Sequence, residues 1–260
     1  MFLNSVVIVL REVLEAAVLV SALLALARGI RLGNRWLWLA VPLAAAGVTL
    51  YASFLASITD ALEGAGQEVV NASLQAGVYL LLVPILALSW SAQSRPRLLM
   101  ILMAIAISLA IVRECAEIQI YVRAFAALGE HAAAVWAGSA LGMGIGISAG
   151  VLVYGALRAL PQRWALWGCC TALALIGSGM LMQATLLLEQ VDWLPDQSPL
   201  WDSSAMLSEQ SFFGELLYAV LGYEATPGAL QVGLYLGSLA LAGVALWWGS
   251  RGGAGHAVRE

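Results

Sequence analysis

The chain is a succession of long, continuously apolar runs separated by short segments that hold most of the charge. A helix needs about 20 predominantly apolar residues to cross a hydrocarbon core about 30 Å thick. Seven runs reach that length, near residues 3–27, 36–58, 69–90, 98–124, 133–157, 164–188 and 229–249. Each is too long and too uniformly apolar for the alternating strands of a membrane barrel. The expectation is an all-α, polytopic membrane protein of seven transmembrane helices. Ser211 to Tyr223 is too short to cross and reads as an amphipathic helix lying on the membrane. No basic stretch or small-residue cleavage site precedes the first run, so it is expected to stay as a span.

Composition agrees with this class, since 62% of residues are hydrophobic and 11% charged. The net charge of −4 matters less than where the charges fall. All basic residues are arginines, and nine of the twelve (Arg28, Arg31, Arg35, Arg95, Arg97, Arg158, Arg163, Arg251, Arg259) fall on one side of the expected spans. The positive-inside rule makes that side cytoplasmic, with the N-terminus outside. The opposite side carries Asp60, Glu63, Glu68, Glu130 and an acidic segment from Glu189 to Glu224. Tryptophans 36, 38, 90, 136, 164, 167, 247 and 248 cluster near span ends, as anchors at the headgroup level do. Cys115, Cys169 and Cys170 form no CxxC pair or disulfide framework, and His131 and His256 have no partner at ligand spacing. Gly138, Gly142, Gly144, Gly146 and Gly150 suggest close helix packing in the fifth span. They form no phosphate loop, since no Lys-Ser/Thr follows. Met143, Met180 and Met182 are expected as apolar filling.

Two clusters break the apolar pattern. Arg11-Glu12-Val13-Leu14-Glu15 lies in the first span and Arg113-Glu114-Cys115-Ala116-Glu117 in the fourth. Arg11 to Arg113, Glu12 to Glu114 and Glu15 to Glu117 each span 102 positions. Three spans fill that interval, so the second copy crosses in the opposite direction. This predicts an inverted repeat within one membrane domain, 1–260: repeat one 1–97, repeat two 98–188, an outer loop 189–228, a seventh span 229–249 and a cytoplasmic tail 250–260. Inverted repeats place their sites at the repeat interface near the midplane.

On a helix Arg11, Glu12 and Glu15 share a face, and ionisable groups at this depth usually mark a pathway or ligand. Four glutamates against two arginines leave two surplus negative charges, which a bound cation would balance. Oxygen-only ligation suits hard cations. Glu12, Glu15, Glu114 and Glu117 are the candidate metal ligands, with Arg11 and Arg113 orienting them by i,i+4 or cross-helix pairing. Interhelical ion pairs that lock the packing are the structural alternative. No catalytic residue and no permanently bound cofactor is expected.

The paired motifs resemble the iron permeases, the family that includes the fungal plasma-membrane high-affinity iron permease and bacterial iron-uptake permeases. That family carries one Arg-Glu-x-x-Glu motif in span 1 and another in span 4. The likeness extends to Gly66-Gln67-Glu68, Trp201-Asp202-Ser203-Ser204, Gly222-Tyr223, Pro227 and Gln231. It implies import of iron as substrate through the bacterial inner (plasma) membrane, with an extracytoplasmic oxidase or iron-binding protein as partner and ferric iron as its product. Neither nucleic acid binding nor enzymatic activity is implied. Glu68, Asp202, Ser203 and Ser204 become candidates for an outer ion mouth, although Asp202 to Ser204 also fit a helix cap. The chain departs from the family at Val13 and Cys115, where glycine is usual, and at Asn71, where a second glutamate is common. Uptake of another metal such as divalent lead, or a membrane oxidoreductase with a glutamate-bound metal, therefore stays open.

Overall fold

The structure, a computed structural model, describes residues 1–257 apart from 93, 127–131, 196 and 210, and gives the backbone alone at 126, 162, 163 and 252–257. Glu130, His131, Asp196 and Arg259 lie outside the described residues. So do the side chains of Arg163 and His256.

Among the described residues eight α-helices follow in order: α1 Phe2–Gly29, α2 Leu37–Asp60, α3 Gly66–Leu88, α4 Pro96–Ala126, α5 Ala132–Ala159, α6 Gln162–Gln190, α7 Phe212–Leu221 and α8 Ala229–Ala257. The chain is all-helical for the reason its composition suggests: a helix satisfies its backbone polar groups internally where no water can. Short 3-10 turns at Ala61–Gly64 and Ser89–Ser91 extend the ends of α2 and α3. Pro96 opens α4, where a missing N–H costs no intrahelical bond. Pro42 and Pro84 sit inside α2 and α3, each removing one.

Among the described residues six segments are long and apolar enough to cross a membrane: Leu37–Gly64, Gly66–Ser91, Pro96–Phe125, Ala132–Ala159, Trp164–Gln190 and Ala229–Arg251. These make the chain a polytopic helical membrane protein. α1 has 28 residues but holds Arg11, Glu12 and Glu15 in its first half.

α1 and α5 make the most intimate pair, and the glycines are the cause. A Cβ on Gly138 would fall 2.5 Å from the Phe2 carbonyl oxygen, one on Gly142 2.5 Å from that of Val6, and one on Gly146 2.8 Å from Val13 Cγ1. Gly150 approaches Ala17 in the same way and accepts the Ser21 hydroxyl at 2.7 Å. The two backbones thus run side by side in the same direction. Gly144 does not belong to this stripe: it faces open space, because two residues along a helix turn it about 200° from Gly142. α2 lies along α4 in the same direction, with Gly47 against Val112 and the Ser108 hydroxyl donating to Ala40 O at 3.0 Å. α3 packs on α4 and α6, α6 on α8, and α1 also meets α4 and α6. Leu19, Leu23, Leu82, Ile85, Met103 and Leu173 form the centre of the core.

Two expectations need correction. Trp36 is not an interfacial anchor. It is 1% exposed and packs in the core, whereas Trp38 and Trp248 stand out from the bundle. The helix expected between Ser211 and Tyr223 exists as α7, but it does not lie apart on a surface. Its end fits against Gly179 of α6, where a Cβ would sit 2.6 Å from the Leu221 carbonyl carbon. Its Tyr218 ring also lies 4.7 Å from the Arg11 guanidinium carbon. α7 thus reaches into the bundle to the level of the first charged cluster.

Candidate metal centre

α1 and α4 cross antiparallel and bring the two clusters together. Ser5 pairs with Tyr121 at 2.8 Å, and two turns deeper Arg113 Nη1 donates to Glu15 Oε2 at 2.6 Å. Arg11 lies nine residues from the start of α1 and Arg113 thirteen from the end of α4, so both sit roughly 14–20 Å from the same end at about 1.5 Å per residue. Helical spacing turns the charged residues of each motif inward, and Val13 turns instead toward Gly146.

Glu12, Glu15 and Glu114 form the centre. Each is 4% exposed or less, and one carboxylate oxygen from each lies within 4.8 Å of the others. Arg113 sits among them. Its Nη1 is 2.6 Å from Glu15 Oε2, 2.8 Å from Glu114 Oε2 and 3.5 Å from Glu12 Oε2. Its Nε is buried without a hydrogen-bond partner, as is Glu12 Oε2. Leaving such groups unmet costs about 1–3 kcal/mol each, so the arginine fits the cluster imperfectly. Arg11 stands at the edge, with Nε 3.5 Å from Glu12 Oε1 and 3.7 Å from Glu15 Oε1.

Glu117, the fourth expected ligand, lies outside this trio. It is half-buried one turn further along α4 and accepts from Asn71 Nδ2 at 2.6 Å; Tyr51 donates to Asn71 Oδ1 at 3.3 Å. Asn71 thereby has a part: its amide gives Glu117 a donor where a carboxylate would repel it. Gln183 of α6 donates to Glu15 Oε1 at 3.4 Å and to Tyr218 O at 3.1 Å, and Gln75 of α3 donates to Gln183 Oε1 at 2.7 Å. The sequence reading missed both glutamines. The signal was present, since a buried amide in an apolar span calls for the same explanation as a buried acid.

No match was found among protein-family models, curated proteins or solved structures.

The candidates for an outer mouth separate. Glu68 lies in the first turn of α3, where the helix dipole favours an acid, and its Oε2 is buried without a partner. Asp202 Oδ1 accepts from Ser204 N at 2.8 Å in a turn and caps no helix; the cap of α7 is Ser211, which accepts from Gly214 N at 3.1 Å. Ser203 binds Tyr223 at 2.9 Å and Ala225 O at 3.0 Å, so it fastens the loop. The hydrogen bonds from Ser204 hold Asp202 below the usual carboxylate range. Glu224 behaves oppositely: burial, a hydrogen bond to Glu209 and repulsion from Glu209 and Glu189 push it up to about 7. Glu224 also borders a largely apolar cavity of about 540 Å³ lined by Met182, Trp201, Leu221, Tyr235 and Leu236, which the Glu12 cluster does not reach. Cys115 is half-buried and unpaired, Met180 and Met182 are buried filling, and Met143 is exposed.

Three buried carboxylates from two helices give oxygen ligands for a hard cation, and half-buried Glu117 with Asn71 gives a step beside it. Rigid helices hold these groups, and the surrounding apolar helices exclude water and so strengthen their electrostatic attraction.

Proposed function

We propose that this chain is a membrane permease that imports iron through the carboxylate centre between α1 and α4. The observation that carries the reading is the gathering of Glu12, Glu15 and Glu114 within 4.8 Å in the interior of an apolar helical bundle. A pure structural lock needs no surplus of acid, and here three buried carboxylates surround one buried arginine. The choice of iron, and of an extracytoplasmic oxidase or iron-binding protein that supplies it as ferric ion, comes from the resemblance of the paired motifs.

With α1 counted, seven helices cross the membrane, the N-terminus outside and the arginine-rich side cytoplasmic. The helix pairings support an inverted repeat over 1–97 and 98–188. Exchanging α1, α2 and α3 with α4, α5 and α6 turns the α1–α5 contact into α4–α2 and the α1–α6 contact into α4–α3, and all four occur. Ions then enter from the acidic outer loop past Glu68, lose water at the centre and leave toward the arginines.

Uptake of radioactive iron into cells or proteoliposomes tests this. Glu114→Gln should abolish uptake at normal membrane expression; uptake at the wild-type rate would overturn the proposal. A second reading keeps the site but changes the ion to another metal such as divalent lead, and the neutral Asn71 beside Glu117 favours it. Iron uptake that is unaffected by excess lead would rule out this second reading, and preferential lead uptake would establish it.

A further inference from the structure

The two motifs have the same sequence pattern and occupy different states. In the first, Arg11 lies against the glutamate four residues on, with Nε 3.7 Å from Glu15 Oε1, its guanidinium over the Tyr218 ring and its side chain 35% exposed. In the second, Arg113 is 5% exposed and has left the equivalent partner, Glu117, for Glu15 and Glu114. Glu117 is held by Asn71 instead.

Arg113 is also seated unlike an ordinary arginine–carboxylate pair. Such pairs use two nitrogens in a fork. Here one nitrogen, Nη1, meets oxygens of all three carboxylates, and Nε has no acceptor. That is the placement of a point cation among ligands.

We infer that Arg113 is a tethered cation. Its terminal nitrogen fills the position between Glu12, Glu15 and Glu114 that the transported ion takes, and the ion binds as Arg113 withdraws one turn to Glu117, the position Arg11 already holds toward Glu15. The inference rests on the proposal that this centre binds the transported ion. Formal charge follows the exchange. Glu12, Glu15 and Glu114 with both arginines sum to −1; once Arg113 neutralises Glu117 the centre is −2, so withdrawal of the arginine adds one unit of negative charge for the incoming cation. Arg113 thus keeps the centre from standing empty and uncompensated in hydrocarbon, and sets a tax on ion affinity equal to the fraction of molecules with the arginine withdrawn.

The test is binding of Mn²⁺, a hard and redox-stable probe, to the purified full-length protein in detergent, read from the electron paramagnetic resonance signal of the free ion. With Arg113 withdrawn in about a tenth of molecules, Arg113→Gln should tighten binding about tenfold. The same variant should import more slowly, because nothing expels the ion. Glu117→Gln, which removes the withdrawn seat but no ligand, should weaken binding by a similar factor. Arg113→Gln binding no tighter than wild type would overturn the tethered cation and leave the metal site standing. If Arg113→Gln fails to fold, the Glu117→Gln arm decides alone, and unchanged affinity there overturns the inference. Binding that survives Glu114→Gln unaltered, or absent binding in every protein, would overturn the site itself.

Discussion

Glu15 is the residue on which most of the centre converges: it takes the 2.6 Å bond from Arg113, the contact from Arg11 and the amide of Gln183. Bringing ions out of water costs several kcal/mol each, and removing one member of a buried pair costs about 3–5 kcal/mol because the other is left charged and alone. Arg113 keeps Glu114 and Glu12 when Glu15 goes, so Glu15→Leu should destabilise the protein by less than this, about 1–3 kcal/mol, through the lost bond to Arg113 and the stranded Gln183 amide. Glu117→Gln should cost less than about 1 kcal/mol, since the new amide oxygen still accepts from Asn71 in a half-buried site. Unfolding of both variants in one detergent checks the pair, and equal losses would contradict the division of the four glutamates into a buried trio and an outlier. That division was not legible in the sequence. Charges within apolar runs identified the motifs, and helical spacing placed each on one face. Which carboxylate turns to a neighbouring amide depends on cross-helix geometry, which a repeat offset cannot supply. Val13 is a similar case: it stands where the iron permeases that the motifs resemble usually have glycine, and its contact with Gly146 puts it on the packing face and not on the carboxylates.

The α1–α5 pair decides how rigidly the first motif is held. A Cβ at Gly142 would meet backbone, Val6 O at 2.5 Å, and backbone cannot turn aside as a long side chain can. Gly142→Ala should force the helices apart and destabilise by about 1–3 kcal/mol. Gly144→Ala meets nothing within 4 Å and should be neutral or gain up to about 1 kcal/mol from helix propensity. Thermal unfolding separates the two, and iron uptake should fall only in Gly142→Ala. The stripe was visible as small residues at four-residue spacing, and its partner helix was not. α7 shows the same limit. Ser211, the apolar run and Gly222 at φ 67° set its start and end locally through a cap and a left-handed stop. Its depth depends on Gly179 of α6 and Tyr218 meeting Arg11, neither of which local pattern can reveal.

Across the whole molecule, the membrane-crossing segments were legible because hydrocarbon thickness fixes their length, while the joining loops, free of that constraint, were not. The segment between α6 and α8 shows why its acids are more than a diffuse negative field. Glu209 Oε1 accepts from Ala225 N at 2.6 Å, Tyr223 donates to Leu207 O at 3.0 Å, Gln231 binds Glu189, and Pro199 bridges to Gly228, so the segment closes on itself above α7. Glu224 lies within it, and folding raises its carboxyl from 4.5 to about 7, first by burial and then by Glu209 and Glu189. The folded state thus binds more protons than the unfolded chain between those values. The contribution of Glu224 to stability is therefore fully present below pH 4.5, is lost as the pH rises through about 7, and is flat above it. Glu224 is only about half-buried, so solvent screening trims the effect to about 1–2 kcal/mol. Glu224→Gln keeps the hydrogen bond to Glu209 and has no proton to lose. It should unfold at a higher temperature than wild type at pH 8 and at the same temperature near pH 4. A wild-type advantage at pH 8 would show that the Glu224–Glu209 pair carries no strain there.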